Sequence, residues 1–212
     1  MKKKGIIKIQ YMFTGIIEEV VKLKSSTTQR DIVEFVLEKP KSWKLHFGQS
    51  IAINGVCLTV TKFDDATFTV ELMPETMMRS SYGKQIPEKV NLERAMSPDG
   101  LFEGHIVQGH VDELSQIIGV EETDQWRTIR IAYPKEKANL LVEKGSITID
   151  GISLTVVEVQ DEWFSVSLIP HTIANTTLGS KQTGDFVNLE YDILGKYIAK
   201  NLKLKKGENT RT

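Results

Sequence analysis

The chain has 212 residues, of which 26% are charged and 40% are apolar, and these proportions are ordinary for a globular protein. Its 27 basic and 28 acidic residues give a net charge of −1, so nothing in the charge indicates nucleic acid or an anionic membrane as a partner. One cysteine excludes an internal disulfide framework and favours a cytoplasmic location, and no apolar run reaches the roughly 18 residues that a membrane span needs.

Two halves of the chain carry the same short motifs in the same order, which predicts two similar domains. Residues 54–60 (NGVCLTV) return 96 positions later as residues 150–156 (DGISLTV), and the same shift relates residues 72–76 to residues 168–172. A period of this length suits a small domain, because solenoid units run at roughly 20 to 50 residues. The predicted units are an N-terminal extension (1–11), a first domain (12–97), a second domain (98–192) and a C-terminal segment (193–212).

Each half is predicted to consist of short strands separated by turns. Residues 67–72 alternate between polar and apolar side chains, and residues 164–168 repeat the alternation. The dipeptides Asn54-Gly55 and Asp150-Gly151 are flanked by β-branched residues, which is the strongest short-range signal for a hairpin.

Short helical turns are expected at residues 74–80 and 170–176, because each begins with a proline that follows a strand. With final strands at residues 90–94 and 187–191, each half contains about six strands at intervals of roughly 8 to 12 residues. The predicted fold class is therefore all-β, with two tandem, similar six-stranded antiparallel Greek-key barrels.

Residues 193–204 carry apolar side chains on one side of a predicted C-terminal α-helix. That apolar side could pack on its own barrel or meet its counterparts in an oligomer, and the sequence leaves both alternatives open.

The common motifs for nucleotide binding, zinc binding and hydrolysis are missing from the sequence. His105 and His110 are five residues apart, which does not place them on one helical face, so we expect no metal site. What remains is polar residues set into the repeated motifs, and taken singly each is more typical of turn or strand structure than of catalysis. The two copies differ, however, at positions that a bound ligand would contact: Cys57 corresponds to Ser153, and Asn54 to Asp150.

Four segments together closely resemble the riboflavin synthase family, and the resemblance covers residues 12 to about 202. They are residues 12–19 (MFTGIIEE), 54–60, 104–112 (GHIVQGHVD) and 150–156. The resemblance implies two six-stranded barrels, a C-terminal helix and a cytoplasmic homotrimer, with an association with lumazine synthase left open. It implies a dismutation in which two molecules of 6,7-dimethyl-8-ribityllumazine exchange a four-carbon unit, without a cofactor, to give riboflavin and 5-amino-6-(D-ribitylamino)uracil.

The same resemblance implies a site between the first barrel of one subunit and the second barrel of the next. The first barrel's pocket is expected to contain Gly15, Ile16, Ile17, Ser50, Cys57, Leu58, Thr59, Glu71, Leu72, Met73, Pro74, Glu75, Thr76 and His110. The second barrel's pocket is expected to contain Gly109, His110, Val111, Lys144, Asp150, Ser153, Leu154, Thr155, Ser167, Leu168, Ile169, Pro170, His171, Thr172 and Asp192. The candidates for nucleophile or proton transfer are Cys57, Ser50 and His110 on one ring, and Ser153, Asp150, Asp192 and Lys144 on the other.

Holding the two rings face to face could supply much of the catalysis, since ideal orientation contributes up to about 7 to 11 kcal/mol. The main alternative is a lumazine-binding antenna protein, which shares the two barrels but binds one chromophore without turnover. The second-pocket residues match the enzyme pattern and favour catalysis. A flavin-binding reductase barrel would need a nicotinamide domain, for which no chain remains.

Overall fold

The computed structural model describes residues 12–123 and 125–208, so the predicted N-terminal extension lies outside the described residues. The described chain forms two closed antiparallel barrels of six strands each and ends in an α-helix, as the sequence predicts. In the first barrel the strands are β1 (Glu19–Gln29), β2 (Ile32–Glu38), β3 (Ser50–Ile53), β4 (Val56–Phe63), β5 (Thr67–Leu72) and β6 (Lys89–Arg94). They neighbour one another in the order β1-β2-β5-β4-β3-β6.

The second barrel repeats this order with its own six strands. They are β7 (Glu113–Glu122), β8 (Arg127–Ala132), β9 (Ser146–Ile149), β10 (Ile152–Val159), β11 (Trp163–Leu168) and β12 (Phe186–Tyr191). The short helices α1 (Pro74–Arg79) and α2 (Pro170–Asn175) follow β5 and β11, and each is followed by a 3-10 turn. The long helix α3 (Ile193–Glu208) follows β12 directly.

The interior of each barrel is filled by alternate residues of its strands, because successive side chains of a strand point to opposite faces. Phe68, Val70 and Leu72 of β5 are fully buried in one core, and Phe164, Val166 and Leu168 of β11 are fully buried in the other. The alternation read from the sequence therefore marks the inward face of these strands.

The hairpin turns of the two barrels lie against each other. Asn54 and Gly55 have φ of +42° and +76°, and Asp150 and Gly151 have φ of +46° and +83°, the signs that a type I′ hairpin turn requires. A Cβ atom on Gly55 would lie 2.7 Å from the Gly151 nitrogen, and one on Gly151 would lie 2.8 Å from the Gly55 nitrogen. Only glycine permits this approach of the two main chains.

Two buried asparagines connect each barrel to the hairpin of the other. Asn91 Nδ2 donates to the Asp150 carbonyl (2.9 Å), and Asn188 Nδ2 donates to the Asn54 carbonyl (2.9 Å). Within each barrel the Asn54 and Asp150 Oδ1 atoms accept from the main-chain N–H of Asn91 and Asn188, both at 2.8 Å.

The remaining amide oxygens of these asparagines also reach across the contact. Asn188 Oδ1 accepts from the Ser81 N–H at 2.7 Å, and Asn91 Oδ1 accepts from the Thr177 N–H at 2.8 Å. Since buried polar groups are costly without partners, this crossed arrangement fixes the relative position of the barrels.

Helix α3 bears the apolar stripe that the sequence predicts, and in the single chain that stripe faces outward. Leu194, Tyr197, Ile198 and Leu202 are 56–62% exposed. The start of the helix is fixed by Asp192, whose Oδ1 accepts from the Leu194 N–H at 2.9 Å. Packing on its own barrel therefore does not cover these side chains. Within the described part of the chain, no helix has the length and apolar character needed to cross a membrane.

We predict that Asn188→Ala lowers the free energy of unfolding by about 2 to 4 kcal/mol, because the Ser81 N–H and the Asn54 carbonyl lose their buried partner. Urea denaturation followed by fluorescence measures the change. The control is Asn139→Ala, an exposed asparagine outside the inter-barrel contact. Equal stabilities for the two variants would contradict a structural role for the crossed asparagines.

Candidate functional site

The segment that precedes each barrel crosses to the other barrel. Phe13 and Val107 form a short antiparallel bridge, with N–H to carbonyl distances of 2.8 and 3.1 Å. Beyond it, Ile17 packs against the core of the second barrel and Val111 packs against the core of the first. From the sequence, residues 15–17 were expected in the pocket of the first barrel and residues 109–111 in the pocket of the second. In the structure, Gly15 and Ile17 contact the second barrel, and Gly109 and Val111 contact the first.

Two buried glutamates hold the crossing segments, each from the last strand of its own barrel. Glu93, 4% exposed, accepts from the Thr14 N–H (2.6 Å), the Thr14 hydroxyl (2.8 Å) and the Gly15 N–H (2.9 Å). Burial raises the pKa of Glu93 to about 7, and the donors on Thr14 and Gly15 oppose that rise.

The second glutamate repeats this arrangement on the other segment. Glu190, 3% exposed, accepts from the N–H groups of Gln108 (2.7 Å), Gly109 (2.9 Å) and His110 (3.0 Å). Burial likewise raises its pKa to about 7. The sequence repeat contained both glutamates, but they were not among the predicted site residues.

Each crossing segment places a glycine against a residue that differs between the repeated motifs. That residue is Cys57 in the first barrel and Ser153 in the second. The Cys57 N–H donates to the Gly109 carbonyl at 2.8 Å, and the Ser153 N–H donates to the Gly15 carbonyl at 2.7 Å. A Cβ atom on Gly109 would lie 2.7 Å from the Cys57 Cβ, and one on Gly15 would lie 2.6 Å from the Ser153 Cβ. The two barrels thus present a thiol and a hydroxyl at equivalent positions.

In the first barrel, Ser50, Cys57 and Thr59 come together on β3 and β4. Ser50 lies opposite Thr59 in the strand pairing, and Cys57 lies opposite Ala52. Burial raises the pKa of the Cys57 thiol, although a hydrogen bond with Ser50 opposes this, and the nearby Glu190 adds to the rise. The thiol is therefore held in its neutral form at neutral pH, next to a hydroxyl.

In the second barrel the corresponding group is Ser146, Ser153 and Thr155 on β9 and β10. Thr155 lies opposite Ser146, and Ser153 lies opposite Thr148. Ser146 was missed, although it stands 96 residues after Ser50 and the repeat could have found it. Ser153 Oγ also lies 2.7 Å from Nδ1 of His105, a residue that the sequence did not place in the site.

Lys144 occupies the position at which the first barrel has Gly48, directly before the hydrogen-bonded start of the β9–β10 pair. Its φ is +64°, where that of Gly48 is +82°. The Lys144 N–H donates to Val156 at 2.8 Å, as the Gly48 N–H does to Val60 at 2.9 Å. The turn is thus conserved between the copies, and the second copy adds an exposed cation to it.

Asp150 lies at the contact between the barrels, with 1% of its surface exposed. Its contacts match those of Asn54, and burial raises its pKa to about 6 while the nearby Lys181 opposes the rise. These contacts are those of a turn residue that joins the barrels, whereas the Ser153 side chain lies against Gly15 of the crossing segment.

Two equivalent cavities lie beside α1 and α2, and of the predicted residues around these helices Pro74 lines the first and His171 the second. A cavity of 700 Å³ between α1 and β7 is lined by Pro74, Met77 and Leu114 among others, and its lining is mainly apolar. Its counterpart between α2 and β1, 740 Å³, is lined by polar residues that include His171 and Thr176. The two cavities therefore differ in character although they occupy equivalent places.

Helix α2 carries His171 where α1 carries Glu75. His171 contacts Asn175, whose Nδ2 donates to its carbonyl at 2.8 Å, whereas Glu75 pairs with Arg79 at 3.0 Å. Both side chains are exposed, so this difference alters the surface charge of the helices and not their packing.

The remaining predicted residues divide between the barrel interior and its surface. Four have side chains inside the barrel cores: Leu58, Leu72, Leu154 and Leu168. Exposed side chains are those of Ile16, Thr59, Glu71, Met73, Pro74, His110, Thr155, Ser167, Ile169 and Pro170, while Thr76, Thr172 and Asp192 are partly buried. Across residues 12–123 and 125–208, no group of three or more His, Cys, Asp or Glu side chains is arranged to hold a metal ion.

Comparison with known proteins identifies the repeated unit. The chain matches the family described as the lumazine binding domain twice, over residues 14–95 and 108–192. The riboflavin synthase of Actinobacillus pleuropneumoniae is 47% identical over 95% of this chain and 94% of its own length. That of Mycobacterium bovis is 44% identical over 91% of this chain and 98% of its own length.

Among solved structures, LumP complexed with riboflavin matches with a TM-score of 0.78 at 21% identity, over 85% of this chain and 99% of its own. This similarity shows a shared two-barrel fold. The two lumazine-binding repeats, together with the identity to relatives over nearly the whole chain, establish that this chain belongs to the riboflavin synthase family.

Proposed function

We propose that this chain is a riboflavin synthase, a transferase that converts two molecules of 6,7-dimethyl-8-ribityllumazine into riboflavin and 5-amino-6-(D-ribitylamino)uracil. One molecule donates a four-carbon unit and the other accepts it, so the reaction balances without a cofactor. The observation that carries this proposal is the presence of two equivalent but chemically different sites in one chain. A dismutation needs such a pair, because the two substrate molecules are identical and their roles are not.

The difference between the sites lies in the residues that face the crossing segments. The first barrel offers the Cys57 thiol beside Ser50, and the second offers the Ser153 hydroxyl with Lys144 and Asp192 in the same barrel. We assign nucleophilic and proton-transfer chemistry to these groups. His110, held by its main chain on Glu190, belongs to the site of Cys57.

The antenna-protein alternative requires one working pocket. Both sites of this chain retain their polar groups, and the curated relatives that cover nearly all of it are riboflavin synthases. The enzyme is therefore favoured. The most direct test incubates the purified chain with 6,7-dimethyl-8-ribityllumazine and follows riboflavin by fluorescence and chromatography, with one riboflavin expected for two lumazines consumed. Binding of the lumazine with no riboflavin formed would instead establish the antenna function.

We also propose that the functional unit is a cytoplasmic homotrimer in which the first barrel of one subunit faces the second barrel of the next. The exposed stripe of α3 supports this arrangement, because four adjacent apolar side chains on one helix are an association surface. Asp192 connects that surface to the site, since it holds the start of α3 and lies close to His105. The association with lumazine synthase stays a proposal.

We predict that Leu194→Glu with Ile198→Glu converts the trimer into monomers and abolishes most of the activity. Both side chains are exposed in the single chain, so the substitutions should leave its folding intact. Sedimentation velocity measures the assembly, and circular dichroism checks the fold. Asn201→Glu, on the same helix but polar, is the control. A double variant that remains trimeric would show that α3 is not the assembly element.

We predict that a fragment of residues 12–97 binds riboflavin as a dimer but does not form it. The twin's segment around Gly15 can take the place of the missing segment around Gly109, because both segments make the same main-chain contact with the opposite barrel. The fragment then has two Cys57 sites and no Ser153 site. Flavin fluorescence quenching measures binding, and the product assay measures turnover. Appreciable riboflavin formation would show that unlike sites are not needed.

A further inference from the structure

His105 is a buried imidazole whose two ring nitrogens are both engaged. It lies in the segment between the barrels and is 8% exposed, and the main-chain N–H of His105 donates to the Thr14 carbonyl at 3.1 Å. Nδ1 lies 2.7 Å from Ser153 Oγ, and Nε2 lies 3.1 Å from Thr148 Oγ1. The ring thus bridges the hydroxyls of two residues that face each other on β9 and β10.

Two arrangements of the protons satisfy both contacts, and they differ in which ring nitrogen carries the hydrogen. With the hydrogen on Nε2, the Ser153 hydroxyl donates to Nδ1, and Nε2–H donates to Thr148 Oγ1. In this arrangement the Ser153 proton is directed into the protein, and the lone pairs of its oxygen are left for a bound molecule.

The surroundings of the ring keep it neutral. Burial lowers the pKa of His105. Among the described residues, Asp192 is the charged group that acts on the ring, and its negative charge opposes this lowering of the pKa. A neutral ring is the form that can accept a proton from Ser153.

Among the residues that the structure describes, the first barrel has no such bridge at the equivalent place. Ala52 stands where the second barrel has Thr148, and Cys57 stands where it has Ser153. The side chains of Phe13, Val107 and Ala52 form an apolar cluster against Cys57. The bridge is therefore a property of the second site, and not of the fold that both barrels share.

We propose that His105 is a positioning residue of the second site, which fixes the direction of the Ser153 hydroxyl proton, and that Thr148 in turn fixes the ring. This assignment rests on the proposed function. Acyl-transfer enzymes activate a serine oxygen with the same arrangement. A base accepts the hydrogen bond of the serine hydroxyl, and a third group orients that base. Here it gives the second site an oxygen whose lone pairs can accept a hydrogen bond from the bound lumazine.

A double-mutant cycle between His105→Asn and Ser153→Ala tests the proposal. Each single variant should lower kcat by about 10- to 100-fold and weaken lumazine binding by a smaller factor, since positioning errors of this kind act mainly on the reacting geometry. The double variant should be no slower than Ser153→Ala alone, because His105 acts through Ser153. Multiplicative losses in the double variant would overturn the proposal, since they would indicate a separate structural role for His105.

Thr148→Val provides a second variant that conserves side-chain volume if His105→Asn folds poorly. It removes the partner of Nε2 and should lower kcat in the same direction but by less. A Thr148→Val enzyme with wild-type kcat, together with wild-type stability, would contradict the role given to Thr148.

The pH profile separates positioning from packing. Protonated His105 donates from both nitrogens and cannot accept from Ser153, so kcat should fall as the pH drops through the pKa of this ring, which burial places below its ordinary value. That acid limb should be absent in His105→Asn. An unchanged acid limb in the variant would contradict the proposal.

The same cycle measured on lumazine binding, by fluorescence titration, does not depend on turnover. If the wild type forms no riboflavin, the proposed function fails. Coupling between His105 and Ser153 in the dissociation constant would then still support the positioning role, and independent effects on binding would overturn it.

Discussion

The contact between the Asn54-Gly55 and Asp150-Gly151 turns is the constraint on which the rest of the molecule depends. Each turn reaches the other only because glycine lacks a side chain, and each is fixed by an asparagine of the opposite barrel. A two-fold arrangement follows, since each hydrogen bond that one barrel makes at this contact is repeated by the other. The segment before each barrel also crosses to the other barrel, since the Gly15 carbonyl accepts from the Ser153 N–H and the Gly109 carbonyl from the Cys57 N–H.

The same hairpins contain both the residues that make the two barrels symmetric and the residues that make their sites chemically different. The turn residues preserve the contact, and two positions further along each strand the copies differ, as Cys57 and Ser153. Glu93 and Glu190 hold the crossing segments in the same way in both halves. Because the main chain is the same on both sides, a change of side chain alters the chemistry of one site without moving the other.

Much of the fold could be predicted from the sequence because its signals are local. Strand alternation and the hairpin dipeptides depend on neighbouring residues, and duplication made every signal appear twice. The crossing of residues 13–17 could not be predicted, since it depends on Glu93 from a strand nearly 80 positions away. For the same reason His105 was not recognised, because its partners Thr148 and Ser153 meet it only in three dimensions.

Asp150 shows a different limit of the sequence. Its difference from Asn54 looked chemical, yet both side chains accept the same main-chain hydrogen bond through Oδ1. Asparagine and aspartate have nearly the same shape and both tolerate positive φ, so exchange between them at a turn carries little information about a pocket. The replacement of Gly48 by Lys144 is more informative, because a residue with a Cβ adopts the positive φ of this turn less readily than glycine does.

Lys144 adopts a backbone conformation that costs a residue with a Cβ on the order of 1 to 3 kcal/mol and costs glycine almost nothing. The first barrel makes the same turn with Gly48, so folding alone has no need of a lysine there. The second barrel accordingly maintains a conformation that works against its own stability. Stability therefore does not account for the lysine, and its exposed side chain stands at this turn for a reason other than folding.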